Sequence, residues 1–305
     1  MISKTNAEKA IKKVFPDSKI KTILRLKKGM INENYSIKIK NPNKELILRM
    51  YPQEGWKAEK EKYLYNLISS KIKIPVPTVH SIDTSKKILK KNYLLLSRIP
   101  GVEMNTAYKR SGNVNLIKEA GSILAKLHSI KLPSYGWIVN TKISPKFSSW
   151  KDFIFYDLGK KLAKLSKITS IKKAFINKSL QYIEDNKNLL KISSEPCLLH
   201  KDYHSSHIFA NSKKITGIID IEWAIAGHNE MDLIKSCWWM SDECNDIEKP
   251  FLQGYKKYGT ISKKFSKRRK LYELTLLIGL IGLSYERKHK KWFNYNLKKA
   301  KNIIK

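Results

Sequence analysis

The side chains best suited to chemistry crowd into LLHKDYHSSHIFAN, residues 198–211, where His200, His204 and His207 surround a single aspartate, Asp202. An aspartate on such a loop can orient an acceptor hydroxyl and take its proton, and phosphoryl transfer needs a metal ligand close behind it. His207 stands five residues after Asp202. A neutral imidazole there has a nitrogen lone pair to offer a divalent ion. A second carboxylate ends the apolar run of ITGIIDIEW, where Asp220 is set to hold magnesium against phosphates and Glu222 and Trp223 follow. A third group lies near the N-terminus. Gly29, in KKGMINENYSI, falls between two strand-like segments where a loop can close over a triphosphate. Arg49, in LILRM, carries a charge that can fork onto phosphates, with Glu61 or Glu59 of the next helix as its ion-pair partner.

The three histidines admit other roles. A zinc site would use His200, His204 and His207, with Cys197 as a fourth ligand. The flanking LLH and HIF look like strand ends, and no HExxH occurs, so the pattern disfavours zinc. His204 is expected as an exposed loop residue or one near the acceptor, and His128, near the end of an amphipathic helix, as a packing residue or one facing the helix's C-terminal dipole.

The elements that must position these groups change character along the chain. IKTILRLKKG, NYSIKIKN and KELILRMYP alternate like three antiparallel strands joined by tight turns. WKAEKEKYLYNLISSK has helical spacing, IPVPTVHSID is held extended by its prolines, and KKNYLLLSRIPG reads as a buried strand. After Gly101 helices dominate, with Ile117, Ala120, Ile123, Leu124 and Leu127 on one stripe. Short strands return at CLLH, HIFAN and ITGIIDIEWA, which gives a small sheet lobe followed by a larger helical one.

Charge is the strongest compositional signal, a net +35 over 305 residues. Lysines outnumber arginines 54 to 7 and run the length of the chain, with the densest stretch at residues 256–305. Readers of specific nucleic-acid sequences favour Arg forks, so no specific nucleic acid is expected, although nonspecific salt-sensitive adhesion to polyanions is. No secretory pattern opens the sequence, and residues 274–283 form an apolar run too short to cross a bilayer, so no membrane insertion is expected. Three cysteines without CxxC spacing point to a reduced, cytoplasmic protein.

LLHKDYHSSHIF, GIIDIEWAIAGHNEMDL, IPVPTV, LLLSRIPG and LAKLHSI together resemble the aminoglycoside phosphotransferase and choline kinase-like superfamily, in that family's order and over about residues 29–232. The resemblance implies an α+β, bilobal protein-kinase-like fold. Residues 1–98 would form the nucleotide-binding lobe with the hinge at its end, and residues 99–305 the helical lobe with the catalytic loop and acceptor site. It implies transfer of the γ-phosphate of ATP or GTP, with Mg2+, to a hydroxyl of a small molecule. Asp202 then matches the catalytic base, His200 the brace of its loop, and Asp220 the magnesium aspartate, with His207 as second ligand. Residues 95–98 match the hinge, so that Leu95 and Ser97 would meet the nucleobase, and Asp232 matches a structural aspartate. His207 stands where Asn is usual and Arg49 where Lys is usual. The first departure is similar to the HxDxxxxHI of aminoglycoside 2''-phosphotransferases, and points to an aminoglycoside acceptor and antibiotic resistance.

A polycationic acceptor meets a protein of charge +35 only through a locally acidic cleft. Glu222 and Glu230, with Asp152, Asp157, Asp242 and Glu243, are the acids available for one, and Trp223 and His204 are expected beside them. The alternatives are a metabolic kinase for choline, ethanolamine or a sugar, and a catalytically weak kinase-like module that binds nucleotide or polyanions. Acceptor-stimulated triphosphate turnover separates the enzymes from the module.

Overall fold

The computed structural model describes residues 2–26, 31–241 and 246–305; Gly29, Asp242, Glu243 and Cys244 lie outside the described residues. The chain opens with α1 (Lys4–Lys12), β1 (Lys19–Leu26), β2 (Glu33–Lys40), β3 (Lys44–Tyr51), α2 (Lys57–Lys71), β4 (Val79–Asp83) and β5 (Asn92–Ser97). These strands form one antiparallel sheet in the order β1-β2-β3-β5-β4. The three alternating segments of the sequence are therefore its strands β1 to β3. Alternation has a structural result here. On β5, Tyr93 and Leu95 point into a small core with Ile37, Ile39, Leu46 and Leu48, whereas Leu94 and Leu96 point into the large core of the molecule.

The second part holds β6 (Val102–Glu103), α3 (Met104–Ser111), α4 (Val114–His128), β7 (Tyr135–Val139), β8 (Lys142–Phe147), α5 (Trp150–Leu165) and α6 (Lys173–Asp185). It continues with β9 (Cys197–Leu199), β10 (Ile208–Ala210), β11 (Ile215–Ile218), β12 (Ile225–Gly227), α7 (Asn229–Ser241), α8 (Glu248–Lys256), α9 (Phe265–Glu286) and α10 (Lys290–Ile303). The stripe expected on α4 is buried. The apolar run at 274–283 lies in α9, and no helix among the described residues is long and apolar enough to cross a membrane. Two short sheets, β11-β10-β6 and β8-β7-β12-β9, frame the loop between β9 and β10.

Two packing details set the rigidity of this helical part. Helices α4 and α8 approach through glycines: a Cβ on Gly254 would lie 1.8 Å from the Lys118 carbonyl oxygen. Deeper in the core, Trp150 Nε1 donates to the Tyr272 hydroxyl at 2.9 Å, which leaves the hydroxyl proton of Tyr272 for His228 Nδ1 at 2.8 Å. Burial, with Arg268 opposing Glu230, pushes His228 down to about 4.

Gly254→Ala should force α4 and α8 apart and cost about 1–3 kcal/mol in urea unfolding. Gly159→Ala, on α5 with open space around it, should instead stabilise by roughly 0.5–1 kcal/mol. Because the folded value of His228 lies below its unfolded value of about 6.5, its contribution is complete above that pH and is lost as pH falls towards 4. The loss amounts to about 3 kcal/mol. It should appear as the difference between the pH–stability curves of the native chain and His228→Asn.

Candidate active site

The loop after β9 is fixed from below by one buried carboxylate. Asp232, on the first turn of α7, accepts the backbone N–H of His200 on Oδ2 at 2.6 Å and that of Lys201 on Oδ1 at 2.8 Å. His128 Nε2 lies 3.4 Å from the same Oδ2, so the histidine of α4 is a packing partner of this aspartate. Lys201 is held at φ +67°, a left-handed conformation that costs energy in a residue with a Cβ. Both amide anchors lie immediately before that bend. His200 is fully buried and neutral: burial holds it below its ordinary value, its Nε2 donates to Ile219 O at 3.0 Å, and its Nδ1 accepts from Asp202 N–H at 3.3 Å. With both ring nitrogens used, and Cys197 turned to Gly227 O, the zinc set does not assemble.

Above this base the expected groups converge. His207 Nδ1 lies 2.9 Å from the Asp202 carbonyl oxygen and 3.4 Å from Asp202 Oδ2, and its Nε2 lies 3.4 Å from Asp220 Oδ2. His204 Nε2 comes within 4.0 Å of Asp202 Oδ2, so this histidine lies at the centre of the group and not in a remote part of the loop. Asp220, at φ +64°, gives its own N–H to the Tyr65 hydroxyl of α2 at 3.1 Å.

The two parts of the chain meet at Arg49. Its Nη2 reaches Glu61 at 3.1 Å, Asp220 at 2.7 Å and Glu222 at 3.1 Å. Tyr51 donates its hydroxyl to Glu61 at 2.6 Å. Burial, only partly offset by Arg49, pushes Glu61 up to about 7. Burial also raises Asp220, but Arg49 and His207 together outweigh it and hold this carboxyl below its usual range.

Three expectations need correction. Glu222 is buried against Arg49, Asn32 Nδ2 at 2.6 Å and Lys57 at 3.6 Å, so it belongs with the phosphate-side charges and not with an acceptor. Its neighbour Trp223 is likewise turned to Lys57, whose ammonium lies 4.0 Å from the ring centre. Glu230 is buried at the start of α7 between Arg268, at 2.7 Å, and the Ser262 N–H, where it fixes α9 to α7. The hinge expected at Leu95 and Ser97 falls at the end of β5. β5 is paired on both sides, and Ser97 exchanges bonds with Thr78 through its N–H and its hydroxyl. Arg98 gives its N–H to the Glu45 carbonyl.

Lys235 is the group that reading the sequence missed. Its Nζ donates to Asp202 Oδ1 at 3.0 Å and to the Lys201 carbonyl oxygen, and it lies 4.0 Å from the ring centre of Trp239. Burial would raise Asp202, but Lys235 first and then the histidines outweigh it, and the carboxyl lies well below the usual range. Burial, with His207, pushes His204 down to about 3, and the cation closest to the Asp202 carboxylate is Lys235, at 3.0 Å. The signal was present in the spacing: on a helix, Lys235 shares a face with Asp232 three residues before it and Trp239 four after.

Comparison with known proteins follows from this geometry. A family model described as a phosphotransferase enzyme family matches residues 22–269. No curated protein matches the sequence. Among solved structures, the chain is similar to aminoglycoside phosphotransferase APH(4)-Ia, with a TM-score of 0.79 and 15% identity over 99% of this chain and 98% of that one. It is similar to a putative fructosamine-3-kinase from Thermobifida fusca YX-ER1, with a TM-score of 0.73 and 14% identity over 97% and 99%. The gentamicin complex of APH(2'')-IIa gives 0.71 and 18% identity over 98% and 97%. These likenesses show the fold, an antiparallel sheet lobe followed by a helical lobe, as the sequence led us to expect.

Asp232→Asn should set an amide N–H2 against one of the two backbone donors it now accepts. We expect a loss of about 1.5–3 kcal/mol in unfolding free energy, and faster hydrogen exchange at the Lys201 amide than at the amides of α5.

Proposed function

The chain belongs to the phosphotransferase enzyme family, and on that premise we propose that it transfers the γ-phosphoryl group of ATP or GTP to a hydroxyl of a small molecule. The observation that carries the reading is His207 held between two carboxylates, with Asp202 on one ring nitrogen and Asp220 on the other. Nδ1–H donates to the Asp202 carbonyl, so the lone pair of Nε2 faces Asp220 Oδ2 at 3.4 Å. Two lone pairs at that distance repel unless a cation lies between them or the ring takes a second proton. Glu61, Asp220 and Glu222 also bring oxygens within 4.8 Å of one another around a single guanidinium. Three carboxylates set against Arg49 and Lys57 make a hard, oxygen-rich surrounding for Asp220, of the kind that suits magnesium.

Asp220 and His207 are the proposed ligands. Bound magnesium supplies neutralisation of the charge on the transferring phosphoryl group. Arg49 adds a fixed cation on the phosphate side, anchored by Glu61. Asp202 aligns the acceptor hydroxyl on Oδ2 while Lys235 holds Oδ1. The acceptor oxygen bonds to the γ-phosphorus, the bond to the β-phosphate oxygen breaks, and the hydroxyl proton passes to Asp202. Held well below the usual carboxylate range, Asp202 is a weak base, and orienting the nucleophile is its larger contribution.

An aminoglycoside is the acceptor that His207 and the catalytic-loop resemblance favour, and it makes one physical demand, an acidic cleft. Glu222 pairs with Arg49, Glu230 with Arg268, Asp157 with Lys161 and Asp152 with Lys151. The reading best supported is therefore transfer to a small hydroxylated acceptor, tested on a panel of aminoglycosides, choline, ethanolamine and sugars.

Acceptor-stimulated nucleoside diphosphate release should appear with at least one member of that panel. Asp202→Asn should lower kcat by about 10²–10⁴-fold with nucleotide affinity retained; unimpaired turnover would remove Asp202 from the mechanism. His207→Ala should raise the magnesium concentration needed for half-maximal rate, and an unchanged requirement would exclude it as a ligand.

A further inference from the structure

The surroundings of Asp202 restrict what can approach it. A cationic acceptor is recognised in two ways, by an unpaired carboxylate and by an open aromatic face. Both kinds of group are present beside the reacting position, and both are already taken by one internal cation. Lys235 Nζ bonds Asp202 Oδ1 at 3.0 Å and lies over the Trp239 ring at 4.0 Å. The third contact of the ammonium, with the Lys201 carbonyl, fixes it there. Its side chain is only 10% exposed, so water screens it weakly. His204 completes the wall, edge-on to Trp239 at 5.1 Å between ring centres.

We infer that Lys235 and Trp239 set acceptor selectivity by charge, so that the acceptor is a sugar- or polyol-like hydroxyl compound with no ammonium group near its reacting hydroxyl. This rests on the phosphotransfer reading above and narrows its substrate class. An ammonium entering beside Asp202 would meet a second ammonium and a carboxylate already paired with it, and like charges set against each other are strongly unfavourable. A neutral ring suffers no such repulsion, and its hydroxyl can approach Asp202 through Oδ2, the oxygen that Lys235 leaves to His207 at 3.4 Å and His204 at 4.0 Å. The net charge of +35 acts in the same sense at long range, slowing the encounter with polycations and speeding it with anions.

The test uses the full chain with magnesium and ATP, and compares glucose, glucuronate, glucosamine and kanamycin as acceptors. The neutral and anionic sugars should exceed the two amines in kcat/KM by at least about tenfold, the equivalent of one modest charge repulsion. Added salt should raise the rate with glucosamine and lower it with glucuronate. Lys235→Gln should narrow the sugar-to-amine ratio while lowering kcat, and Lys235→Arg should restore the ratio. Should Lys235→Gln fail to fold, the acceptor series on the native chain decides alone. Kanamycin or glucosamine turned over better than glucose would overturn the charge selectivity and leave phosphotransfer standing. No turnover of any acceptor, with nucleotide still bound, would overturn phosphotransfer and this inference with it.

Discussion

Buried carboxylates cannot be gathered without a cation among them, and this constraint organises the site. Glu61 comes from α2, Asp220 and Glu222 from the segment after β11, and Arg49 from β3. Remove the guanidinium and the three acids would repel one another or take up protons. The same side chain ties the sheet to the helical part, so fold and charge balance meet at one residue. Arginine suits that position better than lysine because its planar group can serve several oxygens at once.

A second cation does for the catalytic loop what Arg49 does for the interface. Lys235 neutralises one oxygen of Asp202 and, through the Lys201 carbonyl, steadies a backbone bend that Asp232 holds from the other side. Both anchors come from α7. The loop is thus mounted on a helix, and its unfavourable left-handed residue is maintained by hydrogen bonds to charged groups.

Much of this was legible in the sequence. The strands alternate because one face of each is covered, and the helices show their buried stripes, so the small sheet and the helical remainder could be read from period alone. Asp202, His207 and Asp220 could be paired because the spacing within each motif is local. What could not be read was the partner of each acid. Glu222 lies two residues from Asp220 and Glu230 two from Asp232, yet one turns to Arg49 and the other to Arg268, 173 and 38 residues away in sequence. Partners so distant are set by the fold. The neighbours of β5 are a related case: a strand's sequence reveals its buried face but not whether both its edges are paired.

The sheet also bears on how the molecule comes apart. β5 and its neighbour β3 carry the small core on one face and part of the large core on the other, with Leu95 and Leu94 back to back. The two cores share a wall. Melting the small one would strip a face from strands that the large one needs, so neither can be lost while the other stays whole. Two lobes joined in this way unfold as one cooperative unit.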